Sequence, residues 1–236
     1  MSLINKLKQL FTQISNNPLY RKIDDVPFMT EGILAVIIFV YVFGIVTNST
    51  DAIINYGAMY RPLVQFGQWW RFITPIFIHL SFLHILMNGI SLYYVGIQLE
   101  KIFGHVRFLV IFMLSGIFGN IAGFAFSNGA SAGASTAIFG LFGVFLMLGE
   151  TFHDNMYVRR MSQSFLLLIV LNIGFDLMSP DIDIIGHIGG LIAGFLLPYV
   201  VGLPSEFKIP MVKKLLALIV LLVFAYFCLK TGYFAN

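Results

Sequence analysis

The 236-residue chain has one cysteine, Cys228, and only 11% charged residues, where an average soluble domain carries roughly 25%. The lone thiol excludes an intramolecular disulfide, a CxxC redox pair and a cysteine-based zinc cluster. So little charge beside 58% hydrophobic residues excludes an ordinary water-soluble globule, whose surface needs more polar cover than this chain can supply. There is no Lys/Arg block interleaved with aromatics, so no nucleic-acid partner is expected. Alternation at barrel spacing is absent, and so is any internal repeat of about 20–50 residues. What the chain does have is 25 Phe and 22 Gly, a composition suited to helices packed in lipid, where Gly is more frequent than in soluble helices.

Seven apolar runs approach the length that spans a hydrocarbon core, about 20 residues: 32–47, 82–99, 108–127, 134–149, 164–178, 184–203 and 215–229. All are read as helices, because a helix satisfies its own backbone hydrogen bonds in lipid. The basic residues orient them. With the N-terminus in the cytoplasm, Lys6, Lys8, Arg21, Lys22, Lys101, Arg107, Arg159, Arg160, Lys208, Lys213 and Lys214 fall inside; only Arg61, Arg71 and Lys230 fall outside. Seven crossings then leave the C-terminus outside. Leu3, Ile4, Leu7, Leu10, Phe11 and Ile14 recur at helical spacing opposite polar residues, which reads as an amphipathic helix lying on the inner leaflet. Lys6 and Lys8 interrupt any signal-peptide core. The organisation expected is a cytoplasmic amphipathic segment over 1–30, a six-helix core over 31–205, and a linker with a seventh helix over 206–236. The long outer connection 48–79 carries Trp69-Trp70 but no clean span, and is expected to lie half-sunk in the outer interface.

Strongly polar groups at membrane depth are costly and mark functional candidates. Here they are His84, Asn88, Asn120, Ser135, Asn172, Asp176 and His187. The inward-running second, fourth and sixth spans place His84 with Asn88, Ser135, and His187 at about the same level below the outer surface. A serine hydroxyl becomes a nucleophile when a base takes its proton, and His is the usual base. Ser135 with His187 supplies that pair. His84, Asn88 and the Ser135 backbone N–H are candidate donors to an oxyanion. The competing reading treats each as a packing or interhelical polar residue, or His187 as part of a proton path. Gly186, Gly190 and Gly194 on the sixth span, and Ala137, Gly140 and Gly143 on the fourth, form small-residue stripes that allow close helix approach.

Five stretches carry a family resemblance: Trp70-Arg71, HLSFLHILMN over 79–88, EKIFGHVR over 100–107, GASTAIFGLFG over 133–143 and GHIGGLIAG over 186–194. In this order they make the chain resemble the rhomboid intramembrane serine proteases. The resemblance implies Ser135 as nucleophile, His187 as general base, His84 and Asn88 as oxyanion stabilisers, and Gly133, Thr136 and Phe139 as supports of the substrate site. It also implies a seventh helix appended to a six-helix core, cleavage of another membrane protein near the outer end of a transmembrane helix, and a gate formed by the fifth helix and the loop after it. No metal and no organic cofactor is expected. The chain departs from the family pattern in having Thr136 after the serine, where Gly is usual, Gly186 before the histidine, and Phe139 in place of a frequent Tyr. Asp176 is expected to be a capping or gate residue, and Asp183 a solvated residue where the sixth helix starts, so that the serine and histidine act as a dyad. The rival readings are a rhomboid-like protein that binds membrane clients without cutting them, and a transporter, for which inverted repeats and midplane charges are missing.

Overall fold

The computed structural model describes residues 26–178, 182–203 and 209–235; the amphipathic segment read over 3–14 and Lys208 lie outside them. The helices are α1 (Phe28–Val46), α2 (Thr50–Gly57), α3 (Arg61–Gln65), α4 (Phe82–Phe103), α5 (His105–Phe126), α6 (Ser135–Thr151), α7 (Met156–Leu177), α8 (Ile184–Val201) and α9 (Met211–Phe234). Two 3-10 turns, Trp69–Phe72 and Thr74–Phe77, lie between α3 and α4. α1, α4, α5, α7, α8 and α9 are long and apolar enough to cross a membrane, and α6 is a shorter apolar helix. The protein is a multi-pass membrane protein, all-α over its described residues, which hold seven principal helices.

Several helices outrun the apolar runs that announce them. α7 begins at Met156 rather than 164, where Asn155 caps it by accepting from the N–H groups of Tyr157 and Val158. Hydropathy marks only the stretch immersed in lipid, whereas backbone hydrogen bonding carries the helix on through Arg159, Arg160 and Gln163. α4 likewise continues through Glu100 and Lys101 to Phe103 and stops at Gly104, whose φ of 77° is left-handed.

α6 is the centre of the molecule, packed between α5, α7 and α8. Every residue from Thr136 to Leu148 except Leu146 is buried. A helix of 17 residues rises about 25 Å, less than the roughly 30 Å hydrocarbon core. This length is tolerable because protein, not lipid, surrounds it, and Ser135 is its first residue. The approach of α8 is set by glycine: a Cβ on Gly190 would strike the carbonyl of Thr136, and one on Gly194 the carbonyl of Gly140. From the other side a Cβ on Gly143 would strike the carbonyl of Leu191.

The connection between α1 and α4 is not a loose loop. Phe66 is 84% exposed and Trp69 54%, while the charges beneath them are spent on backbone. The Arg61 guanidinium donates to the carbonyls of Phe124, Ala125 and Ser127, closing the end of α5. Buried Arg71 donates to the carbonyls of Asn55 and Ala58 and to Gln68 Oε1. Gln65 Nε2 donates to the carbonyls of Gly232 and Ala235, tying this segment to the end of α9. At the opposite side of the molecule the buried Glu100 carboxylate accepts from the N–H groups of Met29 and Thr30 and from Thr30 Oγ1, and meets His105 Nδ1. That carboxylate satisfies donors left open at the start of α1.

Candidate active site

Ser135 opens α6 after a backbone held by the outer segment. Met59 and Ser131 exchange N–H···O bonds of 2.8 and 2.9 Å, Gly133 N–H donates to Pro75 O at 2.9 Å, and Ala134 N–H points to His79 Nε2 at 3.4 Å. Gly133 has φ 138°, and a Cβ there would lie 2.6 Å from His84 Nε2, so backbone conformation and space both require glycine. No side chain caps the start of α6, which leaves N–H groups directed past Ser135.

His187 sits one turn into α8. Its Nε2 lies 2.7 Å from Ser135 Oγ, and its Nδ1 lies 2.7 Å from Asp176 Oδ2 on α7. The Phe139 ring, one turn below Ser135, stacks on the imidazole at 4.3 Å between centroids and 10° between planes. Two helices, α6 and α7, thus bracket the imidazole carried by α8 on both nitrogens and one face.

His84 and Asn88, successive turns of α4, face the same cavity of about 450 Å³, which lies between α4 and α7 and is lined by Ser135 and His187. Among the described residues neither hydrogen-bonds to Ser135 or His187. Asn88 Nδ2 donates to the His84 carbonyl at 3.0 Å, leaving its second N–H for the cavity. The His84 ring lies edge-on to His79, 4.9 Å between centroids.

Thr136 points its side chain at Gly119 and Gly186, in the seam between α5, α6 and α8, with Oγ1 buried and without a hydrogen-bond partner among the described residues. Asn120 donates to Phe72 O at 2.9 Å, fixing the outer segment to α5, and Asn172 bonds back to Leu168 O on its own helix.

Two sequence expectations are corrected, the first in its capping half: among the described residues the Asp176 carboxylate caps no helix end, and it is buried, 6% exposed, against His187. Phe165, Ile169 and Asp176 are the buried residues of α7 and lie on one face. Asp183 does start α8, accepting from Gly186 N–H at 2.8 Å, but it is half-buried and also accepts from Ser127 and Ser131 hydroxyls. It is a junction between the loop after α5 and α8 rather than a merely solvated residue. His79 was missed as a support. The available signal was a histidine in an otherwise apolar outer segment, too weak to assign without the contact to Ala134.

With this arrangement in place, comparison with known proteins is specific. Residues 66–204 match the model of the Rhomboid domain. The chain is 37% identical over 179 residues to Rhomboid protease GluP of Bacillus subtilis, covering 76% of this chain and 35% of that protein. It is 36% identical over 179 residues to Rhomboid-like protease 1 of Toxoplasma gondii, covering 69% and 61%. It is also 36% identical over 157 residues to RHOMBOID-like protein 5 of Arabidopsis thaliana, covering 64% and 50%. The chain belongs to the rhomboid family. It spans about a third to three fifths of the length of these relatives, two of which are named proteases.

Proposed function

We propose that this chain is an intramembrane serine endopeptidase that cuts transmembrane segments of other membrane proteins near the outer face, with Ser135 as nucleophile and His187 as general base. The observation that carries the reading is the 2.7 Å contact between Ser135 Oγ and His187 Nε2 at the edge of the cavity, within the reach proton transfer needs.

Ser135 Oγ attacks the scissile carbonyl as His187 Nε2 takes the hydroxyl proton. The carbonyl π pair moves to oxygen, which the open N–H groups at the start of α6, His84 and Asn88 stabilise. His187 then gives its proton to the leaving amine nitrogen as the C–N bond breaks. Water, deprotonated by the same imidazole, then attacks the acyl carbon; the C–Oγ bond breaks, and His187 returns the proton to Ser135 Oγ.

The substrate is a membrane protein whose helix unwinds locally, because an intact helix occupies its own carbonyls. Small, helix-weakening residues at the cut site favour this. The chain sits in the cell membrane with its N-terminus cytoplasmic and its C-terminus outside, following the distribution of its 14 Lys and Arg. Residues 1–30 form a cytoplasmic segment, 31–205 the catalytic core and 206–236 the linker and seventh helix.

The test is cleavage of a single-pass substrate by purified protein in lipid, beside labelling by a fluorophosphonate. Wild type cleaves and labels, Ser135→Ala does neither, and His187→Ala loses cleavage. A folded wild type that neither labels nor cuts a panel of substrates supports the client-binding reading instead.

A further inference from the structure

α7 meets the rest of the molecule along a narrow stripe, with Phe165, Ile169 and Asp176 its buried residues. Two of these are the apolar side chains that a helix seam calls for. The third is a carboxylate in a region where burying charge is costly, and among the described residues its hydrogen-bond partner is the imidazole of His187 alone. An apolar side chain would serve the helix seam better, so packing does not account for Asp176.

The contact joins His187 Nδ1 and Asp176 Oδ2 at 2.7 Å. An ionised carboxylate accepts only, so the ionised form of Asp176 requires the proton on Nδ1. Nε2 is then left with its lone pair, aimed at Ser135 Oγ at 2.7 Å. The opposite tautomer would put a proton on Nε2 and leave no acceptor for the serine proton. Phe139 holds the plane of the ring, but stacking is satisfied equally by the ring flipped 180° about Cβ–Cγ; the Asp176 bond is made in only one of the two orientations.

We infer that Asp176 is a positioning residue for the proposed reaction: from α7 it fixes the tautomer and orientation of His187 and opposes the positive charge the ring gains, making the site a Ser135–His187–Asp176 array. No proton passes to Asp176; it travels from Ser135 Oγ to His187 Nε2 and on to the leaving amine. The inference rests on the serine protease reading above.

The experiment compares wild type, Asp176→Asn, Asp176→Glu and His187→Ala in lipid nanodiscs by fluorophosphonate labelling rate, by kcat and KM on a single-pass substrate, and by low-field proton NMR. Asn leaves the shape but lets an amide N–H face Nδ1, favouring the wrong tautomer. The expected result for Asp176→Asn is labelling and kcat slower by about 30-fold or more with KM within about threefold, and partial recovery in Asp176→Glu. Wild type shows a strongly downfield imidazole proton that both Asp176→Asn and His187→Ala lose. Asp176→Asn labelling within about threefold of wild type, or a wild type without that proton, overturns the inference. If Asp176→Asn does not fold, Asp176→Glu and the wild-type resonance decide. A wild type that shows the proton but never labels or cuts sinks the protease reading, and the catalytic role of Asp176 falls with it.

Discussion

The ring of Phe139 lies parallel to that of His187, 4.3 Å away, and brings no hydroxyl to the contact. Whatever Phe139 does for the histidine it does as a flat surface. Phe139→Leu keeps apolar bulk and removes the flat face. A stacked pair is worth about 0.5–1.5 kcal/mol beyond its buried area, so labelling of Ser135 is expected to slow by up to about tenfold with a modest drop in melting temperature. Phe139→Ala adds a cavity, with a stability loss of about 3–5 kcal/mol. Melting curves beside labelling rates separate the two effects; an unchanged rate in a folded Phe139→Leu protein removes the stack from the mechanism.

Thr136 occupies the position where the family pattern has glycine, yet its side chain fills a helix seam against Gly119 and Gly186. Thr136→Gly is therefore expected to lower stability by about 1 kcal/mol through backbone freedom, with kcat/KM within about threefold of wild type. A rise of about tenfold shows instead that the threonine restrains activity.

The seam between α6 and α8 makes a paired prediction. Gly194→Ala puts a methyl group into the Gly140 carbonyl, at a cost of about 1–3 kcal/mol if the helices separate to admit it. Ser135 and His187 come from those two helices, so labelling falls with stability. Gly174→Ala on α7, where a Cβ meets nothing within 4 Å, is expected to be neutral or to stabilise by up to about 1 kcal/mol. Equal effects from both alanines contradict the seam.

His79 lies in the outer segment, 3% exposed. Burial first, then the neighbouring His84, pushes its pKa down to about 3. The unfolded chain binds this proton near the ordinary value of about 6.5. Folded stability from His79 is thus complete above about pH 6.5 and is lost as pH falls toward 3. His79→Gln can still accept from Ala134 N–H. Between pH 7 and pH 4 its melting temperature is expected to fall less than that of wild type; parallel curves rule out His79 as the source.

The helices and the depth of the polar residues were legible because lipid admits few alternatives: a run such as that in α9 has to be a helix, and Asn88, Ser135 and His187 stand out in the runs that hold them. Contacts made by the outer segment were not. Arg61, Arg71 and Gln65 bond to backbone carbonyls, which every residue carries, so no side-chain pattern identifies their partners. Asp176 was misjudged for a related reason. Its nearness to the Met178-Ser179-Pro180 breaker favoured a capping role, and only the three-dimensional meeting of α7 with α8 reveals the imidazole beside it.

The glycine contacts between α6 and α8 also bear on timing. Ser135 and His187 are 52 residues apart in the chain, and no segment shorter than that holds both. Under the proposed function, a nascent chain would carry a serine of ordinary, weak nucleophilicity until α8 had been synthesised, inserted and closed against α6. Completion of the fold would then itself be the event that arms the site.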